Sequence, residues 1–232
     1  MNQESDKAKF DVVLFDLVGT LIYPRPSVGE VYHDLAALHG FAVDPEILRS
    51  EFSKQYKRVF SSCSNWESND ETEKRQWREL VSRIFDSSSD KFDALFTDLW
   101  GHFASPSHWR CYDDVEPCLL KLKEHNLAIG VASNFDSRVV QIVDELLHNI
   151  STEMLFWSTS LGYRKPATQF YSAIAAKLAP RSTVLMVGDD VKNDFEAPKE
   201  FGWDSILLDR GPNIRSESSI KTLDELVELL QS

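Results

Sequence analysis

Four short stretches of this chain join chemically capable residues to a preceding apolar run or a helix start. Asp16 follows Phe-Asp-Val-Val-Leu-Phe and leads into Leu-Val-Gly-Thr, ending at Thr20. Ser133-Asn134 follows Leu127–Ala132, and Gly188-Asp189-Asp190 follows Val184–Val187, with Asp194 about one helical turn beyond. Lys165-Pro166 stands in a loop ahead of a helical segment. Carboxylates serve as nucleophiles or as ligands for hard cations, and a lysine is a compact positive charge. Singly, each has a plainer reading: a strand-end aspartate is usually a turn or cap residue, Ser-Asn a helix N-cap, Lys-Pro a solvated loop and Gly-Asp-Asp a turn. Their occurrence in order points to one shared site, because open parallel sheets bind ligands beyond the carboxyl ends of their strands.

Such a site needs a sheet to carry it. Residues 10 to 16 form a β-branched and aromatic run that stops at an aspartate and Gly19-Thr20, the pattern of a buried parallel strand. From Ser27 the period becomes helical. Val28, Val31, Tyr32, Leu35 and Leu38 form one stripe, with Gly40 placed as a C-terminal cap. Asp44-Pro45 supplies an N-cap and first-turn proline for a second stripe through Leu48, Phe52, Tyr56 and Val59. Trp77, Leu80, Val81, Ile84 and Phe85 make a third, and Phe92, Leu95, Phe96, Leu99 and Phe103 a fourth. The polar run Ser61 to Glu73 between the second and third stripes reads as a mobile loop. After Ser105, strands near 127–132, 154–157, 184–187 and 205–208 alternate with helices near 114–125, 137–147, 169–178, Asp194 and the C-terminus.

This alternation predicts an α/β fold: a doubly wound, parallel-sheet, Rossmann-like core, with a helical bundle cap inserted after the first strand. The expected division is a core of residues 1–23 and 110–232 and a cap of residues 24–109. The cap is expected to open about linkers near 23–27 and 104–112.

The chain has 232 residues, 42% of them hydrophobic and 27% charged, which excludes a fibrous or broadly disordered protein. Twenty-five basic against 37 acidic residues give a net charge of −12. No basic patch offsets it, so nucleic acid and anionic membrane are not expected partners. No apolar stretch reaches membrane-spanning length, and the N-terminus lacks a signal-like apolar centre. Cys63, Cys111 and Cys118 show no paired spacing and read as free thiols, which suits a cytoplasmic protein. Oligomeric state has no signature in the residues.

Asp16-Leu-Val-Gly-Thr-Leu, Ser133-Asn134, Lys165-Pro166 and Gly188-Asp189-Asp190-Val-Lys-Asn-Asp194 resemble the four motifs of the haloacid dehalogenase superfamily. The helical stretch between the first two is similar to the cap of its subclass I. Gly19-Thr-Leu-Ile, Ser27-Val-Gly-Glu-Val-Tyr and Ser133-Asn-Phe-Asp-Ser-Arg bring it nearest the branch named after the rhythmically expressed gene 2 product of flies. The resemblance implies an Asp16 nucleophile that forms an aspartyl intermediate. It implies that Ser133 holds phosphoryl oxygens and that Lys165 neutralises the intermediate's charge, with Thr20, Asn134 and Arg25 as further substrate contacts. It also implies a Mg²⁺ held by Asp16, the backbone carbonyl of Val18 and Asp189, with Asp190 and Asp194 orienting these ligands from behind. Charge supports a cation independently. Asp16, Asp189, Asp190 and Asp194 bring four negative charges against the one positive charge of Lys165, an arrangement that would otherwise repel a phosphate.

One position departs from the pattern. Most phosphatases of the superfamily carry a second aspartate two residues after the nucleophile, and here that residue is Val18. Valine offers its backbone carbonyl but moves no proton, which forfeits roughly 10²–10⁴ in rate, or about 3–5 kcal/mol of barrier. His33, His39 and Glu30 are conceivable substitutes, although each has a surface role open to it. Three functions are consistent with these residues: a Mg²⁺-dependent phosphohydrolase of a small phosphorylated metabolite, a metal-independent 2-haloacid dehalogenase, or a non-catalytic ligand-binding module. The acidic cluster weighs against an anionic haloacid, and retention of Asp16, Lys165 and Asp189 weighs against a dead site. His102, His108 and Cys111 match no zinc spacing and read as structural. Trp66 could line a substrate entrance, whereas Trp77 belongs to a helix stripe.

Overall fold

The computed structural model describes residues 9–60, 66–211 and 219–231. Strand β1 (Val12–Phe15) is the centre of the architecture, and all four of its residues are buried. A strand covered on both faces has no polar side to show, which is why its sequence is a continuous apolar run. Short strand β2 (Ile22–Pro24) comes next, and then the helices α1 (Val28–Leu38), α2 (Pro45–Phe60), α3 (Asp70–Ile84) and α4 (Phe92–His102). The chain returns through β3 (Trp109–Cys111) to α5 (Val115–Glu124), β4 (Ala128–Ser133), α6 (Val139–Leu146) and β5 (Leu155–Trp157). Helices α7 (Ser158–Leu161) and α8 (Thr168–Ala175) precede β6 (Val184–Gly188), a π-helical turn at Val191–Glu196, and α9 (Ala197–Phe201). Strands β7 (Asp204–Leu208) and β8 (Ser219–Ile220) and helix α10 (Leu223–Gln231) close the fold.

Among the described residues, six strands form one sheet in the order β5-β4-β1-β6-β7-β8, every neighbouring pair parallel. The doubly wound α/β core expected from the alternation of strands and helices is therefore present. Two apolar clusters sandwich the sheet. One packs α5, α6 and α10 against Val13, Phe15, Val131 and Leu185, and the other packs α8 and α9 against Val12, Leu14 and Met186. Each fully buried leucine or phenylalanine in these layers contributes about 1.5–3 kcal/mol relative to exposure.

The four helices between β2 and β3 enclose a third cluster of their own, built on Val31, Tyr32, Leu80, Leu95 and Leu99. Their ends obey the local chemistry. Ser27 and Glu30 form a capping box at α1, and the Asp44 carboxylate accepts from the Glu46 N–H at 2.8 Å. The loop expected from Ser61 to Glu73 ends earlier than that, because α3 starts at Asp70. Asn69 caps α3 reciprocally with Thr72, and Asp70, Glu71 and Glu73 fill the first turn, where acidic side chains complement the helix dipole. A helix start built from polar residues gives no apolar period to read. Of the rest of the expected loop, residues 61–65 lie outside the described residues, while Trp66, Glu67 and Ser68 run beside Gly162–Arg164, the Ser68 N–H donating to the Gly162 carbonyl and the Arg164 N–H to the Trp66 carbonyl at 2.9 Å each.

The strand pair that joins the helices to the sheet was also not anticipated. Tyr23 faces Arg110 in an antiparallel two-stranded ribbon, so the outgoing and returning chain run side by side. These short strands, broken by Pro24 and Arg110, carry no apolar run like the Leu-Phe-Trp of β5. The same holds for β8, and for α7, which is a single turn.

Asp114 ties the core's two ends together. It begins α5, accepts two hydrogen bonds from the Arg210 guanidinium at 2.9 Å each, and accepts the Leu223 N–H at 2.9 Å, where α10 starts. Burial alone would raise its pKa, but these donors hold it below the ordinary carboxylate value. The bonds are thus strongest with Asp114 ionised, and their stabilisation is present above the unfolded pKa and is lost as pH falls through the lower folded value. Asp114→Ala should cost about 2–3 kcal/mol at neutral pH by urea denaturation. The difference from wild type should shrink as the pH falls below the usual carboxylate range. A constant difference across that range would contradict a role for the charged form.

Candidate active site at the carboxyl edge of the sheet

Because β1 pairs with both β4 and β6, the segments leaving the carboxyl ends of these three strands meet at one edge. Phe15 lies level with Val131 on one side and Val187 on the other. Asp16 therefore emerges between the Ala132-Ser133 and Gly188-Asp189 segments. Here the chain also reverses its direction of travel across the sheet, which is where such folds place ligands.

The Lys165 ammonium sits at the centre of this edge. It donates to Asp16 Oδ1 at 2.7 Å, Asp194 Oδ1 at 2.6 Å and the Ala132 carbonyl at 2.8 Å. All three of its donors are used, and the residue is 2% exposed. Burial by itself would lower its pKa; the adjacent Asp16 and Asp194 charges override this and raise it, so the side chain stays protonated. Asn134 fixes the approach, receiving the Lys165 N–H on its side-chain oxygen at 2.7 Å and donating its amide to the Lys165 carbonyl at 3.0 Å.

Two glycines permit the crowding. At Gly188, the last residue of β6, a Cβ would fall 2.4 Å from the Asp194 carboxyl carbon. At Gly19, whose φ is +91°, it would fall 2.5 Å from Asp189 Oδ2. The π-helical turn carries Asp194 inward, and its other oxygen accepts the Asp190 N–H at 3.0 Å. Tyr171 braces that turn by donating to the Asn193 carbonyl at 2.6 Å.

Asp16, Asp189 and Asp194 present carboxylate oxygens that all lie within 4.8 Å of one another. Burial first, and then the Asp16 charge for Asp189, push the Asp189 carboxyl well above its usual range; burial does the same for Asp194, against the pull of Lys165. One lysine thus leaves the cluster with excess negative charge. An oxygen-only, charge-rich donor set of this kind fits a hard divalent cation.

The structure refines several expectations. Thr20 is fully buried, its hydroxyl facing Asp189 Oδ1 at 3.4 Å, so it supports that carboxylate and does not reach for substrate. Asn134, expected to touch substrate, has both side-chain ends committed to the Lys165 peptide. Asp190 and Asp194, expected to act alike, part company. The Asp190 side chain caps the next turn through the Lys192 and Asn193 amides, while Asp194 joins the cluster. Ser133 lies buried at the end of β4. Arg25 is exposed beside β2, where its backbone N–H bonds the His108 carbonyl, and it does not line the cavity between the sheet edge and the helices. Glu30 and His39 are occupied by the Ser27 cap and by Asp98, and His33 stands beside Asp34. His102 and His108 stack on each other with centroids 3.6 Å apart. Cys111 and Cys118 are free thiols, and Cys63 lies outside the described residues.

That cavity has a volume of about 300 Å³ and is floored by Val18, Asn134, Phe135, Asp136 and Arg138. Sequence reasoning missed the buried pairs around it. Asp136 binds the Arg138 guanidinium through both oxygens, at 2.8 and 2.7 Å. Arg138 lies flat on Trp100, 3.4 Å from the ring centroid, and donates to that residue's carbonyl. Across the cavity, Glu73 pairs with Arg164 at 3.7 Å. The only sequence signal was adjacency: Arg164 precedes Lys165, and Asp136 and Arg138 follow Ser133-Asn134. Arg210 was missed as well; it donates to the Thr20 carbonyl at 2.9 Å and so anchors the loop that carries Gly19.

The family model for haloacid dehalogenase-like hydrolases matches residues 10–202. The chain belongs to this family. Haloacid dehalogenase-like hydrolases of this kind include the human "haloacid dehalogenase-like hydrolase domain-containing protein 3", 26% identical over 204 residues, covering 85% of this chain and 81% of that one. The Drosophila melanogaster "rhythmically expressed gene 2 protein" is 25% identical over 218 residues, covering 87% of this chain and 84% of the fly protein. In fold, the chain is similar to the HAD-hydrolase YfnB of Bacillus subtilis, solved bound to magnesium. That likeness has a TM-score of 0.77 at 14% identity and covers 96% and 99% of the two chains. Other solved structures of this fold carry the names of phosphatases and of 2-haloacid dehalogenases.

Lys165 is the cation that makes this cluster of carboxylates tolerable. Lys165→Met should destabilise the protein by about 3–5 kcal/mol in EDTA, since removing one partner strands buried charges. Millimolar Mg²⁺ should restore part of the loss in urea denaturation. A variant as stable as wild type in EDTA would show that Lys165 does not neutralise the site.

Proposed function

We propose that this hydrolase is a Mg²⁺-dependent phosphohydrolase acting through an aspartyl-phosphate on Asp16. The observation that carries the reading is the arrangement of Asp16, Asp189 and Asp194 about one fully engaged lysine at the carboxyl edge of the sheet. Residues 24–109 are taken as a cap over a core of residues 1–23 and 110–232, with the cavity between them receiving a small phosphorylated substrate. The acidic balance and the absence, among the described residues, of any helix long and apolar enough to cross a membrane agree with a cytoplasmic enzyme.

In this reading Lys165 orients the Asp16 carboxylate through Oδ1 and offsets the charge of the phosphoryl group after attack. Asp16, Asp189 and the Val18 carbonyl would hold the Mg²⁺, which when bound neutralises phosphoryl oxygens and polarises phosphorus. Asp194 keeps Lys165 in place from the opposite side, and the Asp190 N–H keeps Asp194 in place. Ser133, at the end of β4, would hold a phosphoryl oxygen. Val18 lines the cavity but carries no proton, so the chain supplies neither acid nor base at that point.

A specific observation also favours 2-haloacid dehalogenation: a leaving halide needs no proton, and the cavity is largely apolar. Against it stands the excess negative charge of the edge cluster, which repels a haloacid carboxylate unless a cation is present. The two readings part on metal. Phosphate release should require Mg²⁺ and vanish in Asp16→Asn. Halide release from 2-chloropropionate in EDTA would support the dehalogenase instead. Val18→Asp should raise Mg²⁺-dependent turnover of 4-nitrophenyl phosphate at least tenfold by supplying the missing proton carrier. An unchanged rate would mean that proton transfer at residue 18 does not limit the reaction.

A further inference from the structure

The cavity that Val18 and Asn134 border, two residues beyond Asp16 and one beyond Ser133, has a character that bears on the substrate, given the phosphohydrolase reading. Its cap side is aromatic: Tyr32, Phe52, Tyr56, Trp77, Phe96 and Trp100 line it. Its charged groups are already satisfied. Arg138 is chelated by Asp136 and Glu73 is paired with Arg164, so no spare cation waits there for a second phosphate or a carboxylate. Asn134 has spent both ends of its amide on Lys165. A polyol placed in this space would bury hydroxyls with few free partners, each costing about 1–3 kcal/mol. An uncharged ring would instead replace water against aromatic faces.

The same wall is short of proton donors. Val18 has none, and both Asp136 oxygens are held by Arg138. Glu73, whose carboxyl burial raises against the pull of Arg164, stays paired with that guanidinium at 3.7 Å. Burial also raises the Tyr32 and Tyr56 phenols, which are poor acids. With valine at residue 18 and Glu73 held by Arg164, a leaving oxygen beside Asp16 departs as an anion. Apolar aromatic shape and the lack of an acid demand the same thing of a substrate.

We propose that the substrate class is a phosphate monoester of a phenol or similarly acidic, uncharged aromatic hydroxyl, and that the phosphorylated form of Asp16 accumulates during its turnover. Asp16 forms a bond to phosphorus as the phosphorus–oxygen bond to the ring breaks, and the phenolate leaves with the bonding electron pair. Water then attacks the phosphorus and the bond to Asp16 breaks, regenerating the carboxylate. The water's oxygen and protons end in inorganic phosphate. The first step needs no acid. The second lacks a base at residue 18, and is the slower of the two.

The test uses the full chain with Mg²⁺ and five phosphorylated compounds: 4-nitrophenyl and phenyl phosphates, the anhydride acetyl phosphate, glucose 6-phosphate and glycerol 3-phosphate. The expected kcat/KM for 4-nitrophenyl phosphate exceeds that for glycerol 3-phosphate at least a hundredfold. Stopped flow should show a burst of nitrophenolate close to one equivalent of enzyme. Val28→Trp, which fills the cavity from α1, should raise KM at least fivefold for the aryl esters and leave it unchanged for acetyl phosphate. Calorimetry of the wild-type protein gives a check independent of that variant's folding, with benzylphosphonate expected to bind at least tenfold tighter than methylphosphonate. Efficient turnover of the two polyol phosphates, or equal phosphonate affinities, overturns the aryl assignment while leaving the phosphohydrolase reading intact. Linear nitrophenolate release with no burst overturns the accumulation of phosphorylated Asp16. No phosphate from any of the five compounds, acetyl phosphate included, removes the phosphohydrolase reading and this inference with it.

Discussion

The buried ammonium of Lys165 is the constraint on which the site depends. A lysine taken almost wholly out of water is costly unless it is paired and fully hydrogen-bonded. Here Asp16, Asp194 and the Ala132 carbonyl use all three of its donors. Each partner comes from a different part of the chain, so the ammonium can be satisfied only when β1, β4 and the turn after β6 are in register. The same contacts fix Asp16 as the carboxylate at the centre of the edge. Glycines at 19 and 188 leave the room that Asp189 and Asp194 occupy.

Around this centre the molecule divides its tasks. The sheet edge supplies charge and the helical segment supplies shape. The two are held together by polar contacts: Arg138 with Trp100, Arg164 with Glu73, and Asp70 accepting from Ser137 and Thr159 across the interface. Val18 stands where the two regions meet. A residue that lines an apolar cavity and cannot carry a proton joins the question of leaving group to the question of binding.

Much of this was legible in the sequence wherever apolar period and strand-end chemistry coincide. Val12–Phe15 and Val184–Gly188 announce buried parallel strands, and Asp16 and Asp189 follow them directly. Sequence could not show that β1 is flanked by both β4 and β6, because strand order is a matter of tertiary packing. It therefore could not separate Asp194, which touches Lys165, from Asp190, which caps a turn. Asn134 and Thr20 were found as site residues, but the partners of their side chains lie some 31 and 169 positions away and were invisible. The polar start of α3 was hidden because a capped, acidic first turn carries no hydrophobic stripe, and the pairing of Glu73 with Arg164 was hidden with it.

In the proposed reaction Asp16, held by Lys165, is the group that takes the phosphoryl transfer. The direct measurement is mass spectrometry of peptides from protein quenched in acid during turnover of 4-nitrophenyl phosphate with Mg²⁺. One added phosphoryl group is expected on the peptide that contains Asp16, labile to hydroxylamine as an acyl phosphate must be, and absent from Asp16→Asn. A phosphoryl group on another residue, or steady phosphate release with Asp16 unmodified at every quench time, would contradict it.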